Sequence, residues 1–122
     1  MKKILTRIFT FEAAHILLNH PKCGRVHGHS YILHISVTGN VNKKSGMIMD
    51  FSHLKKFIND EIINKYDHQL LNDVVDFIPT CENLVINMWK DLEVPIFDEF
   101  GVKLSKIKLY ETADSYFEYY EG

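Results

Sequence analysis

Residues 29–38 alternate in character. Tyr31, Leu33, Ile35 and Val37 share one parity, and Ser30, His34, Ser36 and Thr38 share the other. A period of two marks a strand with one buried face, because successive side chains point to opposite faces. The same parity runs back through His29 to His27, so two imidazoles stand at the start of an apolar face. Residues 4–14 repeat the pattern with Leu5, Phe9, Phe11 and Ala13 on one side and Arg7 as the exception, and His15 continues that parity. A loop carrying Pro21 and Gly24 separates the two stretches. If the strands pair antiparallel, His15 at the end of one approaches His27 and His29 at the start of the other.

The rest of the chain supplies partners for these strands. Lys43, Lys44, Ser45 and Gly46 make a turn. The spacing predicts a helix from about Ser52 to Tyr66, capped by Ser52 or Asp50, with Leu54, Phe57, Ile58, Ile62 and Tyr66 as its apolar stripe. A second helix should start after Pro79-Thr80, bury Leu84, Val85, Met88, Trp89 and Leu92, and end or kink at Pro95. Residues 102–110 and 115–120 return to a strand pattern. Strands grouped at both ends with helices between favour an α+β fold, with an antiparallel sheet and helices on one face.

With 122 residues, 46% of them hydrophobic, the chain suits one domain over 1–122 with a real core. A net charge of −2 argues against a dedicated nucleic-acid binder. No apolar run approaches the roughly 20 residues of a membrane span. The opening MKKILTRIFTFE begins like a signal peptide, but Arg7 and Glu12 cut the apolar stretch short. Two cysteines, Cys23 and Cys81, build no disulfide framework, so a reducing, cytoplasmic setting is the default.

Seven histidines is a high count for this length. Three neutral imidazole nitrogens from His15, His27 and His29 on a partly dry site form a metal ligand set, and Zn²⁺ is the ion they suit best. Three protein ligands leave the fourth tetrahedral position open, as a catalytic site requires. The plainer reading is hydrogen-bonded histidines at the rim of a core. Cys23, four residues before His27, has three readings: a fourth ligand, a thiolate kept reactive by Lys22, Arg25 and the metal, or a small loop residue.

Other residues break local rules. Asp67 ends the first helix, where a carboxylate opposes the helix dipole, and His68 follows it. The two form either a proton-transfer pair or an exposed helix terminus. Glu111 continues the face of Ile107 and Leu109, where a carboxylate is costly unless it is partnered. It suits a ligand edge with two N–H donors, or else the strand has ended and the group is solvated. Thr80 reads as a helix cap, Cys81 as a buried, unreactive thiol, and His20, His34 and His53 as loop, outward strand face and first helical turn.

FEAAH at 11–15, KCGRVHGHS at 22–30, GMIMDFSHLK at 46–55, YDHQLLND at 66–73, PTCENL at 79–84 and YET at 110–112 occur in order. Together they resemble the 6-pyruvoyl-tetrahydropterin synthase family over nearly the whole chain. The four-residue step from Cys23 to His27 is similar to that of its 6-carboxy-5,6,7,8-tetrahydropterin synthase branch, the queuosine-pathway type; the pyruvoyl type usually has a longer gap. The resemblance implies a tunnelling (T-fold) protomer whose sheets close into a barrel on trimerisation, two trimers stacking into a hexamer with active sites between subunits. It implies His15, His27 and His29 as Zn²⁺ ligands, Cys23 as catalytic thiol, Asp67 and His68 as proton relay, Glu111 as pterin anchor and Thr80 as a further ring contact. The implied reaction converts 7,8-dihydroneopterin triphosphate to 6-carboxy-5,6,7,8-tetrahydropterin, acetaldehyde and triphosphate. The alternatives are triphosphate elimination to the 6-pyruvoyl product, and a zinc- or pterin-binding module without turnover.

Overall fold

A computed structural model describes residues 1–18 and 24–121. Cys23, Lys22 and His20 lie outside the described residues. Strands β1 (Ile4–His15) and β2 (His27–Thr38) pair antiparallel along their full length, from Ile4 opposite Thr38 to His15 opposite His27. β4 (Lys103–Thr112) pairs antiparallel with β2, and β5 (Ser115–Tyr120) with β4. The sheet order is β3-β1-β2-β4-β5. The sheet is antiparallel except at β3 (Gln69–Leu70), which runs parallel to β1 beside Ala13 and Ala14. The sequence reading did not anticipate this short strand, since two residues carry no readable period.

Two irregularities in β4 set which side chains face the core. Ser36 pairs with Lys106 and Val37 with Leu104, so Ser105 is an extra residue. That bulge lets Leu104 and Ile107, at odd spacing, both bury. A second step in register falls between Tyr110 and Thr112, which leaves Glu111 as the extra residue opposite β5. Arg7, the exception on the apolar parity of β1, donates from Nη1 to the Phe51 carbonyl at 3.2 Å and so tethers the strand to the first helix.

Helix α1 (Phe51–Ile58) is capped by Asp50, whose Oδ1 accepts from Ser52 N at 2.7 Å. It continues through a π-helical stretch (Asn59–Ile63) into α2 (Asn64–Tyr66). Leu54, Ile58, Ile62 and Tyr66 are all fully buried, each four residues after the last. At about 3.6 residues per turn that stripe would drift by about 40° at each step. The wider π turn absorbs the drift and keeps all four on the sheet. A short α3 (Leu71–Val74) precedes α4 (Cys81–Phe100).

α4 does not end at Pro95. It continues to Phe100 and stops at Gly101, at φ 69°, whose N–H donates to the Phe97 carbonyl at 2.8 Å. Pro95 is exposed, and Ile96 beside it is fully buried, so packing of the neighbour outweighs one lost helical hydrogen bond. α4 lies on the sheet, where Leu84, Val85, Met88 and Leu92 join Leu33, Ile35, Ile107 and Leu109 in one core. Each such side chain contributes about 1.5–3 kcal/mol on burial. The opposite face of the sheet carries rungs such as Thr6, Ser36, Lys106 and Tyr120. Lys106 lies 5.1 Å from the centre of the Tyr120 ring. Among the described residues, no helix is long and apolar enough to cross a membrane.

Candidate metal centre and its surroundings

The β1–β2 register places His15 directly opposite His27, and His29 opposite Ala13. All three imidazoles face the helix side, and their ring centres lie 4.5 to 5.0 Å apart. His15 is fully buried. Its Nδ1 lies 2.8 Å from the Pro79 carbonyl, and His27 Nδ1 lies 2.9 Å from the Arg25 carbonyl. A carbonyl only accepts, so both Nδ1 atoms carry the proton. In the neutral rings the two Nε2 atoms are therefore lone-pair donors, and they face each other at 2.9 Å. Two lone pairs repel at that distance unless a proton or a metal cation lies between them. Fixing one ring nitrogen on a backbone carbonyl while the other is left free is how proteins orient a metal-ligating histidine.

Glu111 completes the group. Its Oε1 lies 3.0 Å from His29 Nε2 and 3.9 Å from His15 Nε2. One ligand atom from each of His15, His27, His29 and Glu111 falls within 4.8 Å of the others, so the four residues can hold a metal ion. His29 Nε2 is buried and makes no aligned hydrogen bond, despite the nearby carboxylate. Burial is the main influence on His29 and lowers its proton affinity, Glu111 opposes this, and His15 and His27 add to it. The result favours the neutral, ligating form.

The cluster has neighbours on both sides. On the core side, Tyr31 stacks on Phe11 at 4.8 Å and meets His29 edge-on. Its hydroxyl is buried without a partner, and burial pushes its ionisation up. On the other side, Glu111 opens into a recess of about 210 Å³ lined by Cys81, Glu82, Ser115, Tyr116 and Phe117. Cys81 is buried there and donates to the Leu109 carbonyl at 3.2 Å. Burial, then Glu111 and Glu82, push its thiol up to about 12.

Asp67 and His68 meet the same end of β1. Asp67 ends the helical run, and its Oδ1 accepts from Glu12 N at 2.9 Å. Its Oδ2 lies 3.0 Å from His68 Nδ1. The Glu12 amide is the main cause that holds Asp67 below the usual carboxylate range. His68 has a φ of 60°, left-handed backbone that ordinary residues rarely adopt, and its own N–H donates to the Glu12 carbonyl at 2.6 Å. Its ring is 78% exposed and lines an open cleft that also includes His29 and Ser30.

The structure therefore gathers His15, His27 and His29 as the parity implied, and adds Glu111, which the sequence reading treated separately. Thr80 caps α4, accepting from Asn83 N at 3.2 Å. Cys23 lies outside the described residues. Sequence reasoning missed the Pro79 and Arg25 carbonyls behind the histidines and the unpartnered Tyr31 hydroxyl. Backbone partners leave no mark in residue types, but Tyr31 was visible as a polar-tipped side chain among Leu33, Ile35 and Val37 on its strand's buried face.

Fold and cluster together define an α+β protein with a metal-capable centre at the end of its central hairpin. Residues 4–122 match the family described as 6-pyruvoyl tetrahydropterin synthase, and the chain belongs to that family. It is 38% identical over 109 residues to a putative 6-carboxy-5,6,7,8-tetrahydropterin synthase of Archaeoglobus fulgidus, covering 89% of this chain and 88% of the relative. It is 33% identical to a 6-pyruvoyl tetrahydrobiopterin synthase of Dictyostelium discoideum, covering 95% and 94%. The solved 6-pyruvoyl tetrahydropterin synthase of Caenorhabditis elegans superposes with a TM-score of 0.86 at 27% identity, over 100% of this chain and 97% of that one.

Proposed function

We propose that the chain is a zinc-dependent lyase that converts 7,8-dihydroneopterin triphosphate and one water to 6-carboxy-5,6,7,8-tetrahydropterin, acetaldehyde and triphosphate, in the cytoplasm and on the route to queuosine. The observation that carries this reading is the facing pair of Nε2 lone pairs in a four-donor group that borders a recess. His15, His27 and His29 would hold Zn²⁺, which when bound would supply Lewis acidity toward the side-chain hydroxyls of the substrate. The thiolate of Cys23 takes a proton from the side-chain carbon. His68, oriented by Asp67, moves the remaining protons. Glu111 accepts from the 2-amino and ring N–H groups of the pterin, with Thr80 close to the ring, and so sets the reacting carbons against thiol and relay.

The assembly belongs to the same reading. Among the described residues, β5 has one unpaired edge, and β1 is unpaired from Ile4 to Phe11 on the side away from β2. Such edges invite pairing with a further copy. Three chains closing β5 on the next β1 form a barrel, and two such trimers make the hexamer. The half-open recess at Glu111 is then completed by a neighbouring copy.

Incubating the Zn²⁺-loaded protein with 7,8-dihydroneopterin triphosphate and weighing the products tests the proposal. The expected products are the 6-carboxy compound and acetaldehyde. The 6-pyruvoyl product would favour the second reading, to which the Dictyostelium relative's name lends support. Binding without turnover would leave a pterin module. A Cys23→Ala variant is expected to lose turnover while retaining pterin, because a proton-abstracting group acts on the barrier.

A further inference from the structure

The strand ladder beside β1 extends one step further than its backbone. β3 pairs with β1 at Ala13 and Ala14 only. Just past His15, the side chain of Asn72 takes over: its Oδ1 accepts from Ile16 N at 2.8 Å, and its Nδ2 donates to the Ile16 carbonyl at 3.0 Å. This is the two-bond exchange of a paired strand residue, made by a side-chain amide. At the other end of the segment, Asp67 Oδ1 and the His68 N–H hold both backbone groups of Glu12. Residues 67–72 thus lie along residues 12–16, pinned at both ends.

Asn72 is the second residue of α3, inside the N-cap position that Leu70 holds. α3 has no side-chain cap, and Asn72 bonds across to Ile16, just past the end of β1 and 56 residues earlier. Only an amide offers one donor and one acceptor side by side without changing charge. Asn72 is exposed, so these two bonds, and not burial, fix its position.

We propose that Asn72 is a positioning residue for the metal centre. By holding the backbone of Ile16 it stops the end of β1 from fraying and keeps the His15 ring where its Nε2 faces His27. It also ties the His15 end of β1 to the segment that carries Asp67 and His68, so that relay and centre share one frame. This inference rests on reading His15, His27 and His29 as metal ligands.

The test measures Zn²⁺ affinity by competition with a chromophoric chelator, and the visible absorption of the protein saturated with Co²⁺, for the parent, Asn72→Ala, Asn72→Asp and His15→Ala. Groups that orient a metal ligand typically contribute about 10–100-fold in metal affinity. Asn72→Ala is expected to lose about tenfold in Zn²⁺ affinity, at the low end of that range because it acts through one backbone residue. Its Co²⁺ spectrum should also shift, which a loss of global stability alone would not cause. Asn72→Asp keeps the acceptor for Ile16 N–H but turns a carboxylate oxygen toward the Ile16 carbonyl, and is expected to show the same two changes. It carries the comparison if the alanine variant does not fold. Parental affinity and spectrum in a folded Asn72 variant, with His15→Ala losing Zn²⁺, would overturn the role of Asn72 and leave the centre intact. Retained Zn²⁺ in His15→Ala would overturn the centre, and the inference with it.

Discussion

Glu111 has two possible partners within reach, and the difference between them can be measured. Its carboxylate sits 3.0 Å from His29 Nε2 and also borders the recess. As a pterin anchor it would accept two parallel N–H bonds. Glu111→Gln keeps the size but turns one acceptor into a donor, and is expected to weaken binding of a non-reactive pterin by about 1.5–3 kcal/mol. Zinc content should stay at the parental level. Calorimetric titration together with metal analysis separates the roles, since a joint loss of zinc and pterin would make Glu111 a metal ligand. The parity of Glu111 with Ile107 and Leu109 was legible in the sequence, but its approach to His29 was not. It depends on a bulge at Glu111 itself, and an extra residue in a ladder has no compositional mark. Cys81 is a second residue-scale case. With its thiol pushed up to about 12, it carries almost no thiolate at pH 8. Iodoacetamide should leave Cys81 unmodified in the folded protein at that pH and label it in denaturant, with reactivity rising with pH as thiolate forms. Peptide mass mapping that found Cys81 alkylated in the native state at pH 8 would contradict this environment.

At the scale of elements, β1 and β2 followed from alternation, β4 and β5 from a coarser strand pattern, and the first helix from its stripe. What escaped is local and physical. The π turn at Asn59–Ile63 arises because four residues at strict four-residue spacing must all reach one sheet, a condition set by packing and not by any single residue. β3 exists because Asp67, His68 and Asn72 fasten a two-residue segment to β1. Pro95 is the converse case, a residue whose local rule was overruled. An interior proline costs a helix about 3 kcal/mol, of which up to about 1 kcal/mol is regained by stiffening the unfolded chain. Pro95→Ala should therefore stabilise the protein by about 2 kcal/mol in urea unfolding, with unchanged slope. A destabilised variant would mean that Pro95 itself is needed to seat Ile96.

For the whole molecule, the question is what covers the sheet's two open edges. The face away from the helices is well mixed in its middle, with Lys106 and Lys108 over tyrosine rings. Its apolar exposure gathers toward the edges: Ile8 on β1 is 57% exposed, and Tyr116 and Tyr120 on β5 are 51% and 58% exposed. An unpaired edge flanked by exposed apolar side chains is a liability for a lone chain and an asset for a ring of chains. If β5 of one copy closes on β1 of the next, Ile8 passes from exposed to enclosed. Ile8→Asp then discriminates between a lone chain and a ring. In a lone chain the substitution sits in water and changes stability by about 0.5 kcal/mol or less, as surface changes do. In a closed ring it brings an unpaired carboxylate against a neighbour's sheet, which costs several kcal/mol at each contact. The parent is expected at three or six times 14.3 kDa in sedimentation equilibrium, and Ile8→Asp at lower mass with its far-ultraviolet circular dichroism intact. Pterin binding should fall with the mass, since the recess at Glu111 would lose the wall that a neighbour supplies. A parent that sediments as a single chain and still turns over substrate would show that the site is complete within one copy, and would leave the edges to be explained by their side chains alone.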